Sequence, residues 1–138
     1  MSSYLSVRQE LVTVLEAEWS AAFPSAPIYY ENGIEVDPAQ APELYLELVI
    51  EFDDAELSNV GAGASTGYNF SGAAFIGISV PKSSGMNKTY DAADKLVDIL
   101  KARSFTSFFI GAPVLLNSLE RKGRHFTPLR VPVRSHIA

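Results

Sequence analysis

Residues 43–52 alternate without a break: Leu44, Leu46, Leu48, Ile50 and Phe52 take every second position, and Glu43, Tyr45, Glu47, Val49 and Glu51 take the others. A period of two over ten residues specifies a strand with one apolar face and one face left to water or a partner. The chain must therefore build a sheet and supply something to cover its apolar side.

The rest of the sequence provides both. Residues 68–80 return to period two, with Phe70, Ala74, Ile76, Ile78 and Val80 alternating with Asn69, Ser71, Gly77 and Ser79. Between the two runs, residues 53–67 are acidic and then rich in Gly, Ala and Ser. That composition predicts a long connection or hairpin tip, mobile in isolation and ordered against a partner. A short extended piece, 27–32, comes earlier and ends at Asn32-Gly33; a polar connection with Pro38 and Pro42 follows it. Two further strands are predicted at about 112–120 and 126–135, joined by the basic turn Arg121-Lys122-Gly123-Arg124. Pro128 and Pro132 share a parity, so one side of the last strand lacks two donors. This predicts a sheet edge that pairs through the side carrying Leu129 and Val131.

Two segments have helical period. In 4–21, Leu5, Leu11, Val12, Leu15 and Trp19 recur at roughly helical spacing, with Trp19 expected in the core. Ser3 or Ser6 can cap this helix, Ser6 with Gln9 matches a capping box, and Pro24 and Pro27 stop it. In 88–103, Tyr90, Ala93, Leu96, Val97 and Leu100 form the stripe, and Asp91 and Lys95 are a favourable i,i+4 pair. The expected class is α+β: a mostly antiparallel (mixed) β-sheet with two helices packed on it, in the order α-β-β-β-α-β-β. At 138 residues and 47% hydrophobic content, 1–138 reads as a single domain with a substantial core.

Composition narrows the function. Without cysteine there are no disulfides or thiolate metal sites. The opening residues show no basic stretch leading into an apolar one, so no signal peptide is expected, and no run is apolar enough to span a membrane. Net charge is −5, but residues 1–60 hold twelve carboxylates and a single Arg8, whereas 61–138 hold four carboxylates and ten Lys or Arg. An acidic chain is poorly suited to wrapping nucleic acid, while a two-signed one can meet a neighbour of opposite charge.

The catalytic motifs fail their context tests. Gly63-Ala64-Ser65-Thr66-Gly67 matches G-x-S-x-G, yet a nucleophile elbow needs a strand before it and a helix after, and here an acidic loop precedes and a strand follows. The glycines from Gly61 to Gly67 likewise lack a helix to hold a pyrophosphate. Asp53, Asp54 and Glu56 do not fit a calcium loop. His125 and His136 have no second ligand at i+4 and no visible partner for acid–base work. Tyr29, Tyr30 and Tyr45 suit a partner surface and sheet packing equally. No catalytic residue, cofactor or metal is expected, and the chain is read as a non-enzyme. Its candidate contact residues are the acidic Glu43, Glu47 and Glu51 and the basic Arg121, Lys122 and Arg124, which are expected to meet across a head-to-tail interface.

The order of these stretches resembles a known family. The opening helix ending at Trp19 is followed by Pro27-Ile28-Tyr29-Tyr30-Glu31-Asn32, Val36-Asp37-Pro38 and Tyr45-Leu46-Glu47-Leu48. Then come Ile76-Gly77-Ile78-Ser79-Val80-Pro81, Ala92-Ala93-Asp94-Lys95-Leu96 and the closing Leu129-Arg130-Val131-Pro132-Val133. Together they resemble the tail terminator (tail completion, head–tail joining) proteins of long-tailed bacteriophages, over nearly the whole chain. The resemblance implies a virion protein assembled in the host cytoplasm as a homo-oligomeric ring, usually a hexamer. Such a ring caps the head-proximal end of the tail tube and presents a surface to the head connector, and DNA passes through its lumen unread. Another neck or head-closure component is the alternative, and a small hydrolase using Ser65 is the alternative of a different class.

Overall fold

The first helix, α1 (Tyr4–Ala22), exists because Val7, Leu11, Leu15 and Trp19 make one apolar stripe at i,i+4 spacing, and all four are fully buried. The computed structural model describes residues 3–30, 42–58, 67–106 and 108–135. Leu5, expected in the stripe, is instead 62% exposed. It lies six residues before Leu11, about 120° round the helix from it at 3.6 residues per turn. The capping box is also one turn earlier than expected: Ser3 Oγ accepts from Ser6 N at 3.0 Å, and Ser6 Oγ accepts from Ser3 N at 2.8 Å. At the other end Trp19 stacks on Phe23 and donates its indole N–H to the Ala26 carbonyl at 2.9 Å. That bond turns the chain into strand β1 (Ile28–Tyr30).

β1 runs parallel to β2 (Tyr45–Ser58), which pairs antiparallel with β3 (Gly67–Pro81). Helix α2 (Asn87–Lys101) follows, burying Ala92, Ala93, Leu96, Ile99 and Leu100. Tyr90, expected in that stripe, is 53% exposed. A short strand not expected from the sequence, β4 (Phe108–Ile110), comes next, and the expected strand at about 112–120 is divided into β5 (Val114–Leu115) and β6 (Leu119–Arg121). β7 (Arg124–Ser135) closes the chain after a two-residue turn in which Lys122 and Gly123 both have positive φ, the pairing that a tight hairpin requires. The protein is thus α+β; among the described residues two α-helices pack on a mixed seven-stranded sheet, in the expected element order.

Two expectations about the sheet are corrected. Residues 53–58 are not connection but strand: β2 and β3 stay paired out to Ser58 and Gly67 in spite of their acidic and glycine-rich composition. The remainder of the expected tip, 59–66, lies outside the described residues. β7 is not an edge strand either. β3 pairs with it from Arg124 to Arg134, and β4, β5 and β6 pair with its other side. The proline parity nevertheless has a visible consequence. Pro128 and Pro132 carbonyls accept from Leu116 N and Gly111 N, both at 2.8 Å. Amide and carbonyl of one strand residue point the same way, so the side missing two donors faces 108–121. There the partner is three short pieces instead of one continuous strand.

The core lies on one side of the sheet. Leu46 and Leu48 of β2, Ile76 and Ile78 of β3, and Leu129 and Val131 of β7 share a cluster with the buried faces of both helices. Among the described residues no helix or strand packs across the opposite face. The chain at Pro42–Glu43 closes one end of it.

Candidate functional site

The open face is built from the residues that alternate with the core positions, and the register fixes their rows. Tyr45, Ser79 and Phe126 form one row across β2, β3 and β7; Glu47, Gly77 and Pro128 form the next. Val49, Phe75 and Arg130 follow, and then Glu51, Ala73 and Pro132. Acidic side chains therefore run down β2, small or apolar ones down β3, and basic ones down β7 through Arg130 and Arg134. Acidic residues from the first half of the sequence and basic ones from the second thus share one surface, in columns on either side of β3.

Glu47 and Arg121 come together within the subunit. Phe126 lies across Gly77, where an added Cβ would sit 2.1 Å from the ring, so only glycine admits the ring here. The Arg121 guanidinium lies 4.4 Å over that ring and reaches Glu47 Oε2 at 3.4 Å. A shallow groove of about 330 Å³ remains beside this stack, with Val49, Glu51 and Phe75 in its wall. A second, of about 340 Å³, lies between Asp53, Ser71, Phe109, Arg130 and Arg134.

Arg124 has another role than the surface contact expected of it. It is only 6% exposed. Its Nε donates to Ser79 Oγ at 2.8 Å, and its Nη2 to the carbonyls of Pro42 (2.8 Å), Glu43 (3.1 Å) and Ser79 (3.2 Å). The guanidinium also stacks over Tyr45, whose ring meets Tyr29 edge-on. Arg124 thus ties the starts of β2 and β7 to the end of β3. Glu43 is salt-bridged to Lys88 of α2, and that hydrogen bond holds its carboxyl below the usual carboxylate range. Lys122 sits exposed in the turn. Glu51 and Arg134 are exposed and Arg130 is half-buried, and none of the three makes an ion pair among the described residues.

Among the described residues, the remaining candidates make scattered contacts. Ser65 and His136 lie outside the described residues, and Asp54 and Glu56 are placed by their backbone in β2. Asp53 accepts from Ser71 Oγ at 3.2 Å. His125 pairs across the ladder with Glu120 and Val80. Among the described residues no three His, Asp or Glu group as metal ligands, and no helix is long and apolar enough to cross a membrane.

The carboxylates of α1 bind the rest of the subunit. Glu10 accepts from Thr106 N and Oγ1, at 2.8 and 2.7 Å; Glu18 pairs with Arg103; Glu16 accepts from the Tyr30 hydroxyl. Burial, then the bond to Glu16 and its charge, raise the Tyr30 phenol well above the ordinary range. A raised pKa means that its contribution to stability is present below the ordinary phenol pKa of about 10 and is lost as pH climbs through the raised value. In an alkaline titration followed by phenolate absorbance, Tyr30 is expected to ionise above the ordinary phenol range. Tyr30→Phe should remove that step, and an unchanged titration curve would refute the assignment.

No family model and no curated protein matches the chain. Solved structures do match. One of them superimposes with a TM-score of 0.69, covering 99% of this chain and 97% of its own, at 15% identity. At that identity the likeness shows the fold alone.

Proposed function

We propose that this protein is the structural subunit of a ring that caps the head-proximal end of a bacteriophage tail tube, ends tube growth and offers the surface for head joining. The resemblance in sequence suggests the class. The observation that carries it here is the β2–β3 arm. The pairs Ala55–Phe70, Glu56–Asn69, Leu57–Tyr68 and Ser58–Gly67 continue beyond Ser71–Arg134, the last pair that β3 makes with β7. Among the described residues no third strand lies beside these two, and two strands alone are marginal; in this reading a neighbouring subunit supplies the missing support. A head-to-tail contact of arm on neighbour closes into a ring when the rotation permits. The tail tube protein and the head connector are the partners on the two sides, and DNA crosses the lumen unread.

Negative-stain microscopy and mass photometry test the reading, on the protein alone and with assembled tail tubes. Rings with a central hole, alone or at tube ends, are expected, and Ser65→Ala should form them equally well. A strict monomer under every condition, tubes included, would overturn it.

A further inference from the structure

We propose that the open sheet face is self-complementary and joins two copies of this chain about a two-fold axis parallel to its strands. A face of a single charge would repel its own copy. This face carries both signs in separate columns, on either side of a neutral one. Rotation about an axis lying over β3 exchanges the β2 and β7 columns while keeping each row at its height. Each acidic column then lies over the partner's basic one.

The rows give the contacts. Glu51 shares a row with Pro132, so in the pair it stands over Pro132 of the second copy, between that copy's Arg130 and Arg134. The second Glu51 does the same in return. None of the three side chains makes an ion pair among the described residues, which leaves their charges to the contact. On the axis itself half-buried Phe75 meets its own copy, flanked by Ala73 and by 36%-exposed Val49. Two twisted sheets stacked within about 30° of aligned keep such rows in reach of each other. The other in-plane two-fold axis, across the strands, would set acid on acid, so the charge pattern selects one dimer.

The area sets the affinity. Three strands at about 4.8 Å spacing and nine residues at about 3.4 Å give roughly 400 Å² per copy. Roughly 800 Å² in total falls in the weak, transient class. The dimer should therefore form in the micromolar range or above and weaken as salt is raised. It is separate from the ring contact, which uses the arm.

The test is a charge exchange followed by sedimentation over a concentration series. Glu51→Arg places arginine between two arginines, and Arg130→Glu with Arg134→Glu places glutamates around Glu51. Each variant alone should dimerise at least tenfold more weakly than the parent, with an unchanged circular dichroism spectrum. An equimolar mixture of the two variants restores opposite charges at both contacts and should dimerise about as well as the parent. Overturning results are a parent that stays monomeric at high concentration, single variants that dimerise normally, or a mixture that is not rescued. Rings that persist in both variants while the mixture gains nothing would refute this dimer and leave the ring reading intact.

Discussion

Arg124→Ala is expected to lower the unfolding free energy by about 3 kcal/mol, roughly two orders of magnitude in the folding equilibrium. Arg121 and Lys122, the exposed members of the same basic run, should not show such an effect, because exposed charges contribute about 0–1 kcal/mol. Arg124 differs in being buried and in what it leaves behind. Its removal strips donors from Ser79 Oγ and from the carbonyls of Ser79, Pro42 and Glu43. Each buried acceptor left unmatched costs about 1–3 kcal/mol, reduced here because Pro42 and Glu43 are near enough to the surface to regain water. The cation–π contact with Tyr45 is lost as well. Arg124→Lys should recover less than half, since one ammonium cannot reproduce a planar fork that serves β3 and the 42–43 chain together. Urea unfolding of the three proteins, with Arg121→Ala as an exposed comparison, decides the matter. A loss below about 1 kcal/mol for Arg124→Ala would show that those carbonyls are satisfied by water.

That residue also marks where the sequence stops being readable. Arg121, Lys122 and Arg124 look alike along the chain, and only the fold separates them: one stacked on Phe126, one in a turn at positive φ, one buried. The helix stripes and the alternation of β2 and β3 were legible because burial repeats with the period of the element. The extension of β2 past Phe52 was not, because glycine and carboxylates weaken strand propensity while the ladder partner that overrides it lies far along the chain. Proline parity located the donor-poor side of β7 correctly but could not reveal that short strands would cover it. Arg130 and Arg134 went unremarked among the contact residues. The same parity that placed Pro128 and Pro132 together also placed these two arginines on the open face, so the signal was present.

Gly72→Ala is the other substitution expected to act strongly, at about 3 kcal/mol, the upper end for overpacking. An added Cβ would lie 2.1 Å from the Glu51 carbonyl oxygen and 2.8 Å from Phe52 Cα. Those obstacles are backbone, so no side-chain rotation relieves them, and β2 must move away from β3. The position is sensitive for a further reason. Gly72 pairs with Phe52 where the register slips to Asp54, leaving Asp53 as the extra residue of a bulge. A bulge bends its strand, so this one sets the direction in which the arm leaves the sheet. Ser71→Ala is the matched comparison: it removes the 3.2 Å bond to Asp53 without adding volume and should change stability by about 1 kcal/mol or less. If the arm clasps a neighbour, Gly72→Ala should also abolish ring formation at temperatures where the subunit is still folded, while Ser71→Ala keeps it. Denaturant midpoints give the first quantity and particle mass the second. A Gly72→Ala protein within 1 kcal/mol of the parent would mean that β2 and β3 separate freely at the bulge, and the argument for a fixed arm would fail with it.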